Sequence, residues 1–259
     1  MTNVTASLAG ERRSAKNSAP WFTLGRMELA AVCEQYRVGF LGQPASAVTS
    51  VAFVVAGAGI LVARSRGVAR CATSVRDRQM VFALLVAGNG VGSFIQHGPH
   101  PPWQAYAHDL PLTAVLAFVA TDAVSDLTGR ELSHGWWLVP SVAMVPVVAS
   151  GPRASTFVQA VMAAAAIGLN LLRTRRHPAL RRTVTAALVT AAVGAVIGTL
   201  TERTSLCHSD SLIQGHALWH VLAAAALWRL APAIGARRRP PSPIAESATP
   251  PAHSALRKP

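Results

Sequence analysis

The chain has 259 residues, 51% of them hydrophobic and 14% charged, with a mean hydropathy of +0.34 and a formal net charge of +13. A soluble domain carries about a quarter charged residues, so this composition excludes an ordinary soluble fold, a disordered chain and, with three cysteines, a disulfide scaffold. Two tyrosines, and arginine clusters that fall between apolar runs, argue against nucleic-acid binding and assign the basic charge to membrane orientation.

Residues 1–25 lack the apolar core of a cleavable signal peptide and read as a disordered tail, so the first span itself directs insertion. Residues 26–46, with Met27, Leu29, Val32, Tyr36 and Phe40, predict a short amphipathic helix on the outer surface. Six stretches then lack Asp, Glu, Lys and Arg: 38–63, 79–108, 132–152, 154–172, 183–201 and 211–228. A bilayer core needs about 20 helical residues, so each is a candidate span. A shorter run, 110–121, lies between Asp109 and Asp122 and predicts a helix over about 106–126, provided that both carboxylates lie near opposite faces.

The distribution of arginine decides between six spans and seven. With seven, Arg64, Arg66, Arg70, Arg76, Arg78, Arg130, Arg173, Arg175, Arg176, Arg181 and Arg182 share one side, and Arg153 and Arg203 take the other, 11 against 2. With six the same loops divide 7 against 6. The expectation is therefore an all-α bundle of seven transmembrane helices over 26–231, N-terminus outside and C-terminus inside. The basic N-terminal segment, with Arg12, Arg13, Lys16, Arg26 and Arg37, runs against the rule, its charges spread over a long tail. Residues 232–259, with Arg237, Arg238, Arg239 and seven prolines, read as a disordered inner tail. Gly88, Gly90 and Gly92 in the second span, and Gly194 with Gly198 in the sixth, read as close-packing positions.

Strongly polar side chains at membrane depth are functional candidates because lipid does not tolerate them unpaired. Ser93 and His97 share a face of the second span, Asp109 opens the third, and His216 and His220 share a face of the last. In the seven-span topology all of these meet at the outer end, whereas in the six-span topology the histidines face opposite sides. Three histidines with an open fourth position are the ligand set of a catalytic zinc, which activates water and polarises a carbonyl. His97, His216 and His220 fill the ligand role, Asp109 that of general base and acid, and Ser93 that of oxyanion donor. The alternatives are a packed histidine pair, a serine bonded to its own helix, and an aspartate that only caps one.

His100, His108 and His208 read as solvated, the alternative for each being a partner that supports a ligand from behind, and Asp122 and Asp126 as inner-interface carboxylates paired with nearby arginine. Cys33 and Cys207 fall outside and Cys71 inside, which predicts a Cys33–Cys207 disulfide, the alternative being two free thiols.

The segments CEQYRVGFLGQPASAVTSVAFVVAG, GVGSFIQHG followed by HDLPL, and CHSDSLIQGHALWH together resemble the alkaline ceramidase family. That family belongs to the seven-helix membrane hydrolases, which include the progestin and adipoQ receptors. The resemblance covers about residues 33–230 and implies zinc on His97, His216 and His220, with Asp109 and Ser93 in the family's aspartate and serine positions. It implies hydrolysis of the amide of ceramide or another N-acyl lipid, releasing a fatty acid, by a multi-pass protein of the cell membrane. Members from eukaryotes carry an acidic calcium site near the N-terminal Cys-Glu. Here Glu34 is kept but Ala31, Val32, Tyr36 and Gln43 flank it, so no calcium is expected and the chain looks closer to bacterial members. The implied partners are a membrane lipid and the bilayer, not nucleic acid. The rivals are a receptor-like protein with structural zinc and a proton-coupled transporter.

Overall fold

The computed structural model describes residues 33–66, 73–133, 135–204, 206–211 and 213–236. The tail over 1–25, the loop of Cys71 and most of the tail from 232 onward lie outside the described residues. Among the described residues the chain forms seven α-helices and no strand. These are α1 (Pro44–Arg66), α2 (Thr73–His97), α3 (Gln104–Thr128), α4 (Leu138–Ala149), α5 (Pro152–Arg176), α6 (Arg181–Arg203) and α7 (Gly215–Leu230).

The helix ends follow local chemistry. Proline cannot continue a helix and glycine adopts left-handed backbone without strain. The run Gly98-Pro99-His100-Pro101-Pro102 therefore separates α2 from α3. Gly129, at φ 65°, closes α3 with its N–H on Asp126 O. Gly151 and Pro152 turn α4 into α5, Pro152 occupying the first turn, where no backbone donor is needed.

Among the described residues five segments are long and apolar enough to cross a membrane, which marks a multi-pass membrane protein: Pro44–Ser65, Asp77–His97, Gln104–Thr128, Pro152–Arg176 and Pro178–Glu202. The expected span 132–152 contains only the 12 residues of α4, and α7 has 16. At 1.5 Å per residue α4 rises about 18 Å, well short of a hydrocarbon core of about 30 Å. Residues 33–43 form no helix, contrary to the amphipathic helix expected over 26–46, whose residues before 33 are not described. Their backbone instead bonds to distant segments, Gln35 N to Ser209 O and Gln43 N to His97 O, so this strand of chain is tied across the helix ends.

Glu34 anchors that crossing. Both its carboxylate oxygens accept backbone N–H groups at the start of α1, Oε1 from Ala45 and Oε2 from Ser46 at 2.6 and 2.9 Å. An anion there satisfies two orphan donors and complements the helix dipole.

Successive helices alternate in direction, so one end of the bundle gathers the start of α1, the end of α2, the starts of α3, α5 and α7, and the end of α6. At the opposite end Arg78, Asp122, Arg173 and Asp126 form a buried ion network. Arg78 Nη1 and Arg173 Nη1 each lie 3.1 Å from an Asp122 oxygen, and Arg173 Nε lies 2.6 Å from Asp126 Oδ2. These aspartates do pair with arginine, but inside the bundle: Asp122 is 2% exposed and Arg173 0%. Asp122 also accepts the N–H of Gly235, and Ala233 and Ile234 are buried, so ordered packing runs on through this segment beyond residue 231.

Glycines set the closest helix approaches. A methyl group on Gly92 would stand 1.8 Å from Ala107 O, and one on Gly194 would meet Leu222 and Trp219 at 2.8 and 2.9 Å. Gly88 faces open space and packs against nothing, unlike its neighbours Gly90 and Gly92.

Candidate metal centre

His97, His216 and His220 come together at the first of these ends, each offering a ring nitrogen within 4.8 Å of the others. Their ring centroids are 4.7 to 5.1 Å apart. Two helices supply them: His97 is the last residue of α2, and His216 and His220 occupy successive turns of α7.

Each ring is held from behind at Nδ1. His97 Nδ1 lies 2.7 Å from Gln43 Oε1, and Gln43 Nε2 donates to Glu34 O, which fixes the amide with its oxygen toward the histidine. His220 Nδ1 lies 3.0 Å from the carbonyl of Ser46. His216 Nδ1 lies 2.7 Å from Glu202 Oε1, at the end of α6. Acceptors at all three Nδ1 positions put the ring proton there and leave each Nε2 with a lone pair.

His97 Nε2 is buried and has no hydrogen-bond partner. An unpaired buried polar atom costs about 1–3 kcal/mol, and convergent imidazole lone pairs repel unless a cation lies between them. The donor set, three imidazoles each backed by an oxygen acceptor, suits zinc or a similar borderline cation. The residues therefore fit a resident metal.

Ser93, 1% exposed, places its hydroxyl 2.8 Å from Ser50 Oγ and 3.4 Å from His220 Nε2, facing the cluster rather than its own helix backbone. Asp109 does not bond any of the three histidines. Its Oδ1 lies 2.7 Å from His108 Nδ1, and its Oδ2 accepts from Ser155 on α5, to which Gln159 donates in turn. His108, expected in solvent, is only 20% exposed and stands edge-on to His97 with centroids 6.3 Å apart. His100 is half-buried, with Nδ1 on the carbonyl of Gln96, and His208 is exposed.

Cys33 and Cys207 are joined by a disulfide that fastens the crossing segment to the loop before α7. The segment bearing Gln43 and Glu34 is thereby tied to the helix bearing His216 and His220. Sequence reasoning missed Gln43, Glu202, Ser50 and Ser155 as parts of the site, and gave His108 a supporting role only as the alternative to solvent. Glu202 alone left a trace, a carboxylate closing an apolar run 14 residues before His216. No protein-family model matches the chain, and no curated protein matches it either.

Proposed function

We propose that this chain is a zinc-dependent membrane hydrolase that cleaves the amide of ceramide or a related N-acyl lipid and releases a fatty acid. The observation that carries this reading is the convergence of His97, His216 and His220 with every Nδ1 engaged and His97 Nε2 left unpaired. The ordered Ser-x-x-x-His, Asp and His-x-x-x-His residues of the ceramidase resemblance support it, as does the placement of Ser93 beside the cluster.

In this reading seven helices span the bilayer of a bacterial plasma membrane, with the N-terminus outside, the C-terminus inside and the histidine end in the outer leaflet. The arginine loops then gather inside, opposite the histidines, and the short α4 and α7 rely on neighbouring helices and local thinning of the bilayer. Apolar side chains that face outward, such as Val55, Leu84, Val142 and Val196, contact lipid.

His97, His216 and His220 would hold zinc, whose chemistry there is polarisation of the carbonyl and activation of water. Around it, Ser93 donates its hydroxyl proton to the carbonyl oxygen of the bound lipid, where charge develops. Asp109, with His108 on one oxygen and Ser155 on the other, forms the acid–base side of the site and serves the leaving nitrogen. The apolar walls keep bulk water away and strengthen these interactions.

The test is metal analysis of purified protein together with fatty-acid release from a panel of N-acyl lipids, with and without chelator. Stoichiometric zinc and chelator-sensitive release are expected. Zinc without release would favour a receptor-like protein, and release unaffected by metal removal would sink the mechanism.

A further inference from the structure

His108 stands beside the cluster, and the mechanism above uses it only as a partner of Asp109. Its position follows from the chain. Pro111 lacks an N–H, so the carbonyl of Ala107, four residues earlier, is left without its helical donor. That carbonyl packs directly on Gly92, where any side chain would collide with it. The resulting close approach of α2 and α3 sets His108 alongside the turn of α2 that carries Ser93 and His97.

The orientation of the ring is then fixed. A carboxylate is an acceptor, so Asp109 takes the Nδ1–H of His108, and Ser155 holds Asp109 from the far side. In a neutral ring so held, Nε2 is an acceptor, and it has no hydrogen-bond partner among the described residues. The other hydrogen-bonding groups facing the cluster are already engaged: the Ser93, Ser50 and Thr49 hydroxyls bond one another, their own helix or His220, and the three clustered histidine nitrogens suit a cation. His108 is therefore the acceptor available to a donor-bearing group on the substrate.

We propose that His108, oriented by Asp109, is a specificity-determining residue that accepts the N–H of a lipid amide and so selects amides over esters of the same shape. The inference rests on the reading of the site as one for N-acyl lipids and adds the contact that reads the amide nitrogen. Asp109 is here a positioning residue, acting through His108. A secondary amide presents an N–H beside its carbonyl. An ester presents an oxygen there, which would face the His108 lone pair with no hydrogen between them.

The experiment measures binding rather than turnover. The metal-free full-length protein, in detergent, is titrated with N-hexylpalmitamide or with hexyl palmitate, each displacing a dansylated fatty acid. Wild type is expected to bind the amide about tenfold more tightly, the worth of one buried hydrogen bond to a correctly paired group. His108→Phe, which keeps a ring in place, should bind both at the ester's affinity, whereas His108→Gln, which restores an acceptor, should recover part of the preference. Asp109→Ala should weaken the preference, read as the ratio of amide to ester affinity. Equal binding of the pair by wild type, or an undiminished preference in His108→Phe, overturns the proposal. Should His108→Phe fail to fold, the wild-type pair and Asp109→Ala decide it. Zinc content is read in parallel on the protein as purified, before metal removal: its absence there, with the metal-free wild type still preferring the amide, would sink the hydrolase reading and leave the His108 contact standing.

Discussion

Glu202, at the end of α6, stands behind His216, its Oε1 2.7 Å from Nδ1. The same distance separates Gln43 Oε1 from His97 Nδ1 across a different part of the bundle. The two acceptors come from segments that contribute no ligand of their own. Partners in such positions orient imidazoles and raise their basicity, and their loss typically lowers metal affinity by about 10–100-fold. Glu202→Gln is expected to weaken zinc binding toward the lower end of that range, since an amide oxygen still accepts the Nδ1–H. Glu202→Ala should approach the upper end. Competition against a chromogenic chelator checks both, and unchanged affinity in Glu202→Ala would show that His216 is not a ligand.

Under the proposed mechanism, Asp109 would separate metal binding from chemistry. Its carboxylate contacts His108 and Ser155 and none of the three clustered histidines. Asp109→Asn is thus expected to load zinc as wild type does while losing about 100-fold or more in fatty-acid release, the usual contribution of an acid–base group. Full activity in this variant would remove the acid–base assignment.

The Cys33–Cys207 bond closes 174 residues of sequence and joins the crossing segment to the approach to α7. Cross-linking long loops restricts the unfolded chain, and a native disulfide is commonly worth about 2–4 kcal/mol. Reduction, or Cys207→Ala, should lower the melting temperature in detergent. It should also weaken zinc binding by several-fold, because Gln43 then holds His97 less firmly. A melting curve and a zinc titration with and without reductant read the two effects separately. A stability loss with unaltered zinc affinity would show that the crossing segment does not brace the site.

Much of this arrangement was legible before any coordinates. The absence of charge marked the long helices, and the arginine distribution called for the helix over about 106–126 that is seen as α3. His97, His216 and His220 were legible because i, i+4 spacing and a shared end are properties of sequence and topology together. His108 and Asp109 are adjacent and looked independent, one solvated and one at the site. Only the packing of Ala107 against Gly92 shows that they work as a pair. Gln43 was illegible for a related reason: it acts on His97 from 54 residues away through a single oxygen, which leaves no periodic mark, and Glu202 left only the trace of a carboxylate closing an apolar run. The extent of α4 was misread because composition reports where charge is missing, whereas Gly151 and Pro152 decide where the helix stops.

The ion network at the arginine end makes a prediction about stability that leaves the metal site untouched. Asp122 accepts from Arg78, Arg173 and the N–H of Gly235, and all three donors are buried against it. Replacing a buried ionic cluster by apolar groups can be neutral, but removing one partner strands the rest, at a cost of about 3–5 kcal/mol. Asp122→Ala leaves two guanidinium groups with one carboxylate, Asp126, between them. It should lower thermal stability far more than Asp122→Asn, whose amide oxygen still accepts one donor. Arg173→Met should cost less than Asp122→Ala, since Arg78 then retains Asp122, and Asp126 keeps His177 at 3.4 Å. Because this network and the histidines occupy opposite ends of the bundle, zinc affinity measured well below each variant's melting temperature should match wild type. An Asp122→Ala protein as stable as wild type would mean that the network contributes nothing to holding α2, α3 and α5 together, and that apolar packing such as the stacked Phe82–Phe118 pair suffices.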